Sequence, residues 1–434
     1  MLIYILHEKL VSSTRLLVNS STNILYYRMS NRLKNIFADF SRCALGNFLA
    51  EGRTALRDQG VMIFFFIVPL AYPLLYCFIY TNEAVREVPV VAIDNDRSAQ
   101  SREFLRNIDA TPDAHIVAYA ADMEEAKAAM KRREAYGIIN VPRTFAADLA
   151  AGKQTTVSAF SDMSSMLYYK AVYTSAMNAS LKMNAKLKVE RTPGATQEQA
   201  RVVEHPIEYE DICLYNPQNG FASFLIPAVL ILVLQQTLLL GIGMAAGTRR
   251  ERNPGHLLVP AGLQTTNPIP FVLGKAAMYL IIYLPLSIYV LIIVPRLFSL
   301  NHLFVPHDLA LFIVPFLLAA IFFAITLSGL IRHRETSIML IVFTSVLLLF
   351  ISGVSWPQSA LPAFWRTLAC IFPSTYGIHG FVAMNNAGAR LSDLTAETAM
   401  LWLQTAIYFC TACAVYWQAL RSSKGVNSRA SKCK

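Results

Sequence analysis

Charged residues are scarce in this sequence. Asp, Glu, Lys and Arg make up 15% of its 434 residues and 55% are apolar, whereas soluble globular chains carry about 25% charged residues. The scarcity is uneven, because residues 81–220 have the composition of a soluble domain while other long stretches contain almost no charge. This composition excludes a typical cytosolic enzyme and indicates a membrane protein that carries one soluble domain.

The sequence also lacks the motifs that would supply energy or catalysis. It contains no G-x-x-x-x-G-K-[ST] loop, so if ATP drives the protein, a partner chain must bind the ATP and its Mg²⁺. The H-E-x-x-H and G-x-S-x-G motifs are missing as well, which argues against an intramembrane hydrolase. We therefore expect no catalytic residue, and no cofactor or metal bound by this chain.

Cysteines are nearly absent from the soluble part, where Cys213 is the only one, so a disulfide framework is not expected. A bridge between Cys213 and Cys370 stays open. Cys410 and Cys413 form a C-x-x-C in an apolar window. Because no polar second shell is apparent there, we interpret them as small residues of a membrane helix rather than as a metal or redox site.

Six windows are long and apolar enough to cross a membrane, since a hydrocarbon core of about 30 Å needs about 20 helical residues. They are Val61–Tyr80, Phe221–Ala246, Ile269–Val294, Leu309–Ile331, Ile338–Trp356 and Met400–Leu420. One such window fits a buried helix of a soluble protein, but six do not. The predicted fold class is a membrane α-helical protein with six transmembrane helices.

Ionisable residues are almost missing from these windows. They contain no Asp, Glu or His, and their only charged residue is Lys275. We expect its amine to snorkel to the interface. The lack of a charge relay argues against a proton- or sodium-coupled carrier, although coupling through the carbonyls of a broken helix stays open.

Lys and Arg are distributed asymmetrically between the loops. With a cytoplasmic N-terminus, the inner segments 1–60, 247–268, 332–337 and 421–434 hold 18 basic and 6 acidic residues, and the outer segments hold 19 and 22. The positive-inside rule then predicts that both termini are cytoplasmic. The net charge of +10 reflects this orientation, and nucleic-acid binding is not expected.

Residues 31–58 have apolar side chains at spacings of three and four, opposite a polar face that includes Glu51. This pattern predicts an N-terminal amphipathic helix, either in the cytoplasmic interface or packed on the helix bundle. Residues 81–220 alternate strand-like runs (VPVVAID, HIVAYA, YGIINV, TVSAFSD) with helix-like runs, which predicts an inserted extracytoplasmic α/β domain. One long helix of this domain is marked by Met166, Tyr169, Tyr173, Met177 and Leu181.

The chain is therefore divided into five parts. They are a cytoplasmic N-terminal segment (1–60), the first transmembrane helix (61–80), the extracytoplasmic domain (81–220), a five-helix region (221–420) and a basic cytoplasmic tail (421–434). Residues near 357–398 are too apolar for a solvated loop and too interrupted by proline to span, which predicts re-entrant helices.

Two basic segments stand out on the predicted cytoplasmic side. The first reads GTRRERNPGHLLVPAG after the second window, and the second is the turn RHRE. Anchoring by the positive-inside rule explains part of this charge. The acidic Glu251 among arginines, followed by Asn253-Pro254-Gly255, additionally suggests a docking surface. The candidate residues are Arg249, Arg250, Glu251, Arg252, Arg332, Arg334 and Glu335.

From about residue 40 to its end, the chain resembles permeases of the ABC type 2 exporter family, in the subgroup with a large extracytoplasmic domain. Four stretches carry the resemblance: PVVAIDNDRSAQSREFLRNI with IINVPRTFAADLAAG, LYNPQNGFASFLIPAVL, the loop from Arg249 to Lys275, and SGVSWPQSALPAFW with FPSTYGIHGF. The loop departs from the family pattern at Asn253-Pro254 and His256.

The resemblance implies an exporter subunit of a bacterial inner membrane, either a homodimer or paired with a homologous permease. A soluble ABC ATPase subunit would bind ATP and Mg²⁺ and dock at the two basic segments. A periplasmic adaptor and an outer-membrane duct often accompany such members, and their cargo is often drug-like or lipidic. The outer gate would be lined by Pro357, Pro362, Trp365, Pro373 and Tyr376.

Two alternatives stay open. One is a non-transporting membrane scaffold or receptor whose outer domain binds a ligand or partner protein, and the other is a gated pore. Cargo is not identified by the sequence. Gln235 and Gln236 in the second window either contact cargo or form hydrogen bonds between helices, and we expect the second.

Overall fold

A computed structural model describes residues 40–81, 85–191, 198–199, 202, 214–216, 220–253, 257–259 and 267–432. Of residues 423–432 only the backbone is described. The chain divides into two compact units, residues 82–220 and the remainder. Residues 1–39, which include part of the predicted amphipathic helix, lie outside the described part, as does Cys213.

Among its described residues, the larger unit contains six helices that are long and apolar enough to cross a membrane, one for each predicted window. We call them spans 1 to 6: Gln59–Ile79, Phe221–Arg252, Pro268–Leu297, Pro306–Ser328, Arg334–Ile351 and Thr395–Ser422. The helix of span 6 continues to Lys432, where the sequence predicted a tail. Span 2 is also longer than its window, because the helix continues through the arginines up to Arg252.

Span 2 lies at the centre of the larger unit and is buried along most of its length, whereas in spans 1, 5 and 6 most residues are exposed or half-buried. It packs on spans 1, 4 and 5. Spans 1 and 3 each contain one π-helical turn, at Ile63–Ile67 and Tyr289–Ile293. Such turns widen a helix locally and often occur at functional positions.

Residues 40–57 form a helix, α1, that precedes span 1. It packs against span 3, because an added Cβ on Gly274 would lie 2.3 Å from the carbonyl oxygen of Ala44. One residue of the predicted polar face departs from the prediction: Glu51 is buried and points into the bundle, whereas Arg42 of the same face is exposed.

The described residues of the smaller unit form a four-stranded sheet in the order β2-β1-β3-β4. Strand β1 is parallel to β2 and β3, and β4 is antiparallel to β3. The strands are β1 Val88–Asp94, β2 Ala114–Tyr119, β3 Gly137–Val141 and β4 Ser158–Ser161, and the helices are α2 Ala99–Asp109, α3 Met123–Lys131, α4 Phe145–Ala150 and α5 Met166–Glu190. These are the four strands that the sequence predicted.

Helix α5 has the predicted position, but the apolar series that marked it faces outward. Tyr173, Met177 and Leu181 are exposed, whereas Ala171 and Val172 are buried against the sheet. Helix α5 lies close to strand β3 at Val172. An added Cβ on Gly137 would come within 2.7 Å of the Val172 side chain. Helical spacing located the helix but did not distinguish its packed face from its exposed face.

Between spans 5 and 6 lie two short helices, α6 (Ala363–Ala369) and α7 (Pro373–Ala387). Helix α7 packs on spans 2, 4 and 6. At about 1.5 Å per residue it is shorter than a hydrocarbon core of about 30 Å. It ends at Gly388, whose left-handed backbone (φ 66°) caps the helix.

Candidate functional site

A cluster of buried charges joins α1 to spans 2 and 3. Glu51 of α1 accepts hydrogen bonds from Arg249 of span 2 and Tyr279 of span 3, and its Oε1 lies 3.0 Å from Nζ of Lys275. Glu51 is 2% exposed and Lys275 is 3% exposed. Lys275 also lies 5.1 Å from the ring centre of Tyr416 in span 6. We call Glu51, Arg249, Lys275 and Tyr279 the buried charge cluster.

The surroundings of Glu51 keep its carboxylate ionised. Burial alone would raise the pKa of Glu51, but attraction to the Arg249 guanidinium and the Lys275 ammonium outweighs burial and lowers the pKa to about 2. Buried ions are tolerated only when they are paired and hydrogen-bonded. The expectation that Lys275 snorkels to the interface is therefore wrong, because its ammonium is directed at Glu51 inside the bundle.

A second ion pair joins the start of span 1 to the start of span 5. Asp58 caps span 1, where its Oδ1 accepts from the backbone N–H of Gly60 at 3.1 Å. The same oxygen lies 3.1 Å from Nη2 of Arg334, in the first turn of span 5. Asp58 thus fixes the first turn of one span to the first turn of another.

The end of span 2 contacts its neighbours through the two residues that follow Arg249. Arg250 donates from Nη2 to the carbonyl of Gly329 at 2.7 Å, just after span 4. Glu251 accepts the backbone N–H of Arg334 at 2.9 Å and so caps span 5. Span 2 approaches span 5 closely here, since an added Cβ on Gly247 would lie 2.8 Å from the backbone of Arg334.

The predicted docking residues therefore fall into two groups. Contacts between helices engage four of them, Arg249, Arg250, Glu251 and Arg334. The other three, Arg252, Arg332 and Glu335, are exposed. The sequence placed Arg249 to Arg252 in a loop, but they form the end of the span 2 helix. Arg and Glu favour helix, and the residue before Pro254 is disfavoured in helix, which explains why it stops there.

Sequence reasoning did not assign a role to Glu51, Asp58 or Tyr279. One signal was available: Lys275 is the only charged residue of the six windows, and a buried cation requires a partner. The partner could not be identified from sequence, because Glu51 and Lys275 are 224 residues apart.

The predicted outer-gate residues differ in their exposure. Pro357, Pro362 and Trp365 are exposed near α6, whereas Pro373 is buried at the start of α7 and Tyr376 packs against the core of the larger unit. Helix α7 contacts the bundle through the polar side chains of two other residues, Ser374 and His379. His379 lies 2.8 Å from the carbonyl of Ser352 through Nε2, and Gln235 donates from Nε2 to Oγ of Ser374 at 3.0 Å.

Within the described residues, no group of three or more His, Cys, Asp or Glu side chains is placed to hold a metal ion. Cys410 and Cys413 are not bridged to each other. The family model described as "ABC-2 family transporter protein" matches residues 60–414. No curated protein matches the chain.

Proposed function

Because the chain belongs to the ABC-2 transporter family, as a multi-pass membrane subunit of a transporter, we propose that it is the permease of an ATP-driven exporter. Membership of this family implies pairing with an ABC ATPase subunit. In the proposal that partner binds ATP and Mg²⁺, and this chain moves a drug-like or lipidic substrate outward across a bacterial inner membrane. Both termini lie in the cytoplasm, and residues 82–220 lie on the opposite side.

The observation that carries the proposal is the set of ion pairs that joins α1 and the start of span 1, which follows α1 directly in the chain, to the other spans. Glu51 connects α1 to spans 2 and 3, and Asp58 connects the start of span 1 to Arg334 of span 5. Helices joined by buried ion pairs move together, because separating them would leave charges without partners. A displacement of α1 is therefore transmitted to four spans.

The exposed charges around these ion pairs are the proposed docking surface for the ATPase. We define it as Arg53, Arg57, Arg252, Arg332 and Glu335, all of which are exposed. The helices that carry this surface are held together by the contacts of Arg249, Arg250, Glu251 and Arg334 described above. When two ATPase subunits approach each other on binding ATP, they would pull on this surface and change which side of the membrane the bundle exposes.

Two permease subunits, identical or homologous, would form the transport unit. The region of Pro357, Pro362, Trp365, Pro373 and Tyr376 would act as the outer gate, since α7 packs on spans 2, 4 and 6 and follows their movement. A periplasmic adaptor and an outer-membrane duct would receive the substrate. Membrane lipid surrounds the exposed faces of spans 1, 5 and 6.

The test is purification of the tagged chain from its host in a mild detergent, with identification of every chain that co-purifies. We expect a stoichiometric soluble ATPase with a P-loop. Charge reversal at two exposed residues, Arg252→Glu with Arg332→Glu, should release the ATPase. Arg143→Glu, an exposed charge reversal in the smaller unit, is the control and should retain it.

Reproducible absence of an ATPase from intact complexes would overturn the proposal and favour the scaffold or receptor. If the ATPase co-purifies but the double variant retains it as well as Arg143→Glu does, the exporter assignment stands and the docking surface is wrong.

A further inference from the structure

A cavity of about 270 Å³ lies between spans 1, 2 and 5. Its walls are mostly apolar and include Val68, Leu232, Ile341 and Val346. Phe64, in the π-helical turn of span 1, also lines it. The cavity is thus built where span 1 departs from regular helix geometry, a feature often found at functional sites.

Among the described residues that line this cavity, one polar side chain has no hydrogen-bond partner. Both amide atoms of Gln236, Oε1 and Nε2, are buried and make no hydrogen bond to the described part of the chain. Its sequence neighbour Gln235 faces the other way and donates to Ser374. Buried polar groups are almost always hydrogen-bonded, so the unpartnered amide of Gln236 requires an explanation that Gln235 does not.

Two tyrosines one turn apart on span 1, Tyr72 and Tyr76, also line the cavity. The ring centres of Tyr72 and Tyr76 are 4.8 Å apart, and the Tyr72 hydroxyl donates to the Tyr76 hydroxyl at 3.2 Å. Tyr72 is 40% exposed. Aromatic rings in the lining provide flat contact surface for another ring.

The cavity selects against charge. Among the described residues that line it there is no Asp, Glu, Lys, Arg or His. A charged ligand would lose its hydration without gaining a counter-ion, which is strongly unfavourable in an apolar site. A fully apolar ligand would leave the amide of Gln236 without a partner, as it is now.

We propose that this cavity binds the uncharged end of an amphiphile, an aromatic ring that carries a carboxamide or another adjacent donor and acceptor. Gln236 donates to the acceptor and accepts from the donor, and Phe64 and Tyr76 contact the ring. The cavity is slightly smaller than a typical drug site of about 300–1,000 Å³, so the rest of the molecule extends past Tyr72. Identifying this ligand with exported cargo rests on the proposed function.

The test uses three photoreactive probes of the same shape: benzophenone-4-carboxamide, benzophenone-4-carboxylate and 4-methylbenzophenone. Each is irradiated with the purified full chain in lipid nanodiscs without an ATPase, and labelled peptides are identified by mass spectrometry. We expect the carboxamide to label peptides containing Tyr72, Tyr76 or Val233 in preference to the other two probes.

Gln236→Leu keeps the volume of the side chain and removes the amide. Labelling by the carboxamide should fall about tenfold or more, as expected for the loss of two hydrogen bonds, while labelling by the methyl probe should be retained or increase. Gln235→Leu is the control on the same helix and should retain carboxamide labelling. Thermal unfolding of both variants shows whether each is folded.

Equal labelling of the wild type and Gln236→Leu by the carboxamide would overturn the proposal, as would preferential labelling by the carboxylate. Because no ATPase is present, failure of this test leaves the exporter assignment unaffected. Conversely, if the chain is labelled specifically but never associates with an ATPase, the proposed ligand site stands and the proposed exporter function is wrong.

Discussion

Lys275 of span 3 and Glu51 of α1 form an ion pair at 3.0 Å inside the bundle. Both are nearly fully buried, and Glu51 is shared with Arg249 and Tyr279. Removing one partner of a buried ion pair costs about 3–5 kcal/mol, because the remaining charge is left uncompensated. The pair fastens α1 to the bundle, and its disruption has measurable consequences.

Glu51→Gln should destabilise the protein more than Lys275→Met. The first change leaves two buried cations, Arg249 and Lys275, without a carboxylate, whereas the second leaves Glu51 paired with Arg249. We expect a loss of about 3–5 kcal/mol for Glu51→Gln and a smaller loss for Lys275→Met. Thermal unfolding in detergent micelles gives the order of the two melting temperatures.

The control for this prediction is Glu103→Gln in the smaller unit. Glu103 pairs with Lys186 at 2.7 Å, on the surface. Exposed pairs contribute about 0–1 kcal/mol, so the variant should unfold near the wild-type temperature. A loss at Glu103 as large as that at Glu51 would show that burial is not the cause.

Two glycine substitutions test the close packing of α1. Gly274→Ala would bring a methyl group within 2.3 Å of the Ala44 carbonyl, so α1 must move away from span 3. We expect a loss of about 1–3 kcal/mol. Gly46→Ala on α1 meets nothing within 4 Å and should be neutral or stabilise by up to about 1 kcal/mol. Opposite signs in thermal unfolding would support the contact, and a neutral Gly274→Ala would contradict it.

The ionisation of Glu51 predicts a pH dependence of defined sign. Its pKa is lowered from an ordinary value of 4.5 to about 2. A carboxyl with a lower pKa in the folded state stabilises that state above its unfolded pKa, and the stabilisation is lost as the pH falls towards the folded pKa. The melting temperature should not change through Glu51 between about pH 5 and 8. It should fall from about pH 4.5 downward, and Glu51→Gln should show a smaller fall over the same range.

Glu251→Lys should reduce coupling between ATP hydrolysis and transport. It replaces the acceptor of the Arg334 N–H with a cation beside Arg250 and Arg252, while the long apolar run of span 2 is unchanged. Membrane insertion should persist, and transport per ATP hydrolysed should fall severalfold in proteoliposomes that contain the ATPase. Glu251→Gln retains an acceptor and should lose much less. Full transport by Glu251→Lys would show that Glu251 is not needed for coupling through the docking surface.

Neighbouring residues on α5 should respond differently to truncation. Val172 is 1% exposed and Tyr173 is 53% exposed. Val172→Ala removes buried methyl groups next to Gly137 and should cost about 1–2 kcal/mol, whereas Tyr173→Ala should cost less than about 0.5 kcal/mol. Proteolysis of the smaller unit in the intact chain measures the difference. The reverse order would mean that the outward face of α5 is packed.

The positions of the six spans and four strands follow from local patterns, because apolar length and alternating side chains are properties of neighbouring residues. The end of span 2 was less predictable. Arg249 to Arg252 satisfy the pattern of a cytoplasmic loop, but Arg and Glu are also good helix formers, and contact with span 5 favours the helix. The facing of α5 could not be predicted either, since its apolar residues occur on both sides.

The buried charge cluster could not be predicted for a different reason. Glu51 in an amphipathic pattern belongs on the solvated face, and Lys275 near a helix end can reach water. Only the three-dimensional packing shows that Glu51 and Lys275 pair with each other, so that neither charge has to reach water. The missing hydrogen-bond partner of Gln236 could not be predicted from the sequence either. Gln235 and Gln236 are adjacent and chemically identical, and they differ only in which residues surround them in the fold.

The separation of Glu51 from Arg249 by 198 residues also constrains biosynthesis. A ribosome that has just completed α1 has not yet made the cations that neutralise Glu51. The carboxylate of Glu51 therefore stays hydrated until spans 2 and 3 have been inserted. Only then can α1 pack against them. Docking of α1 would therefore follow the synthesis of Lys275, so nascent chains arrested before residue 275 should remain open to chemical modification at α1.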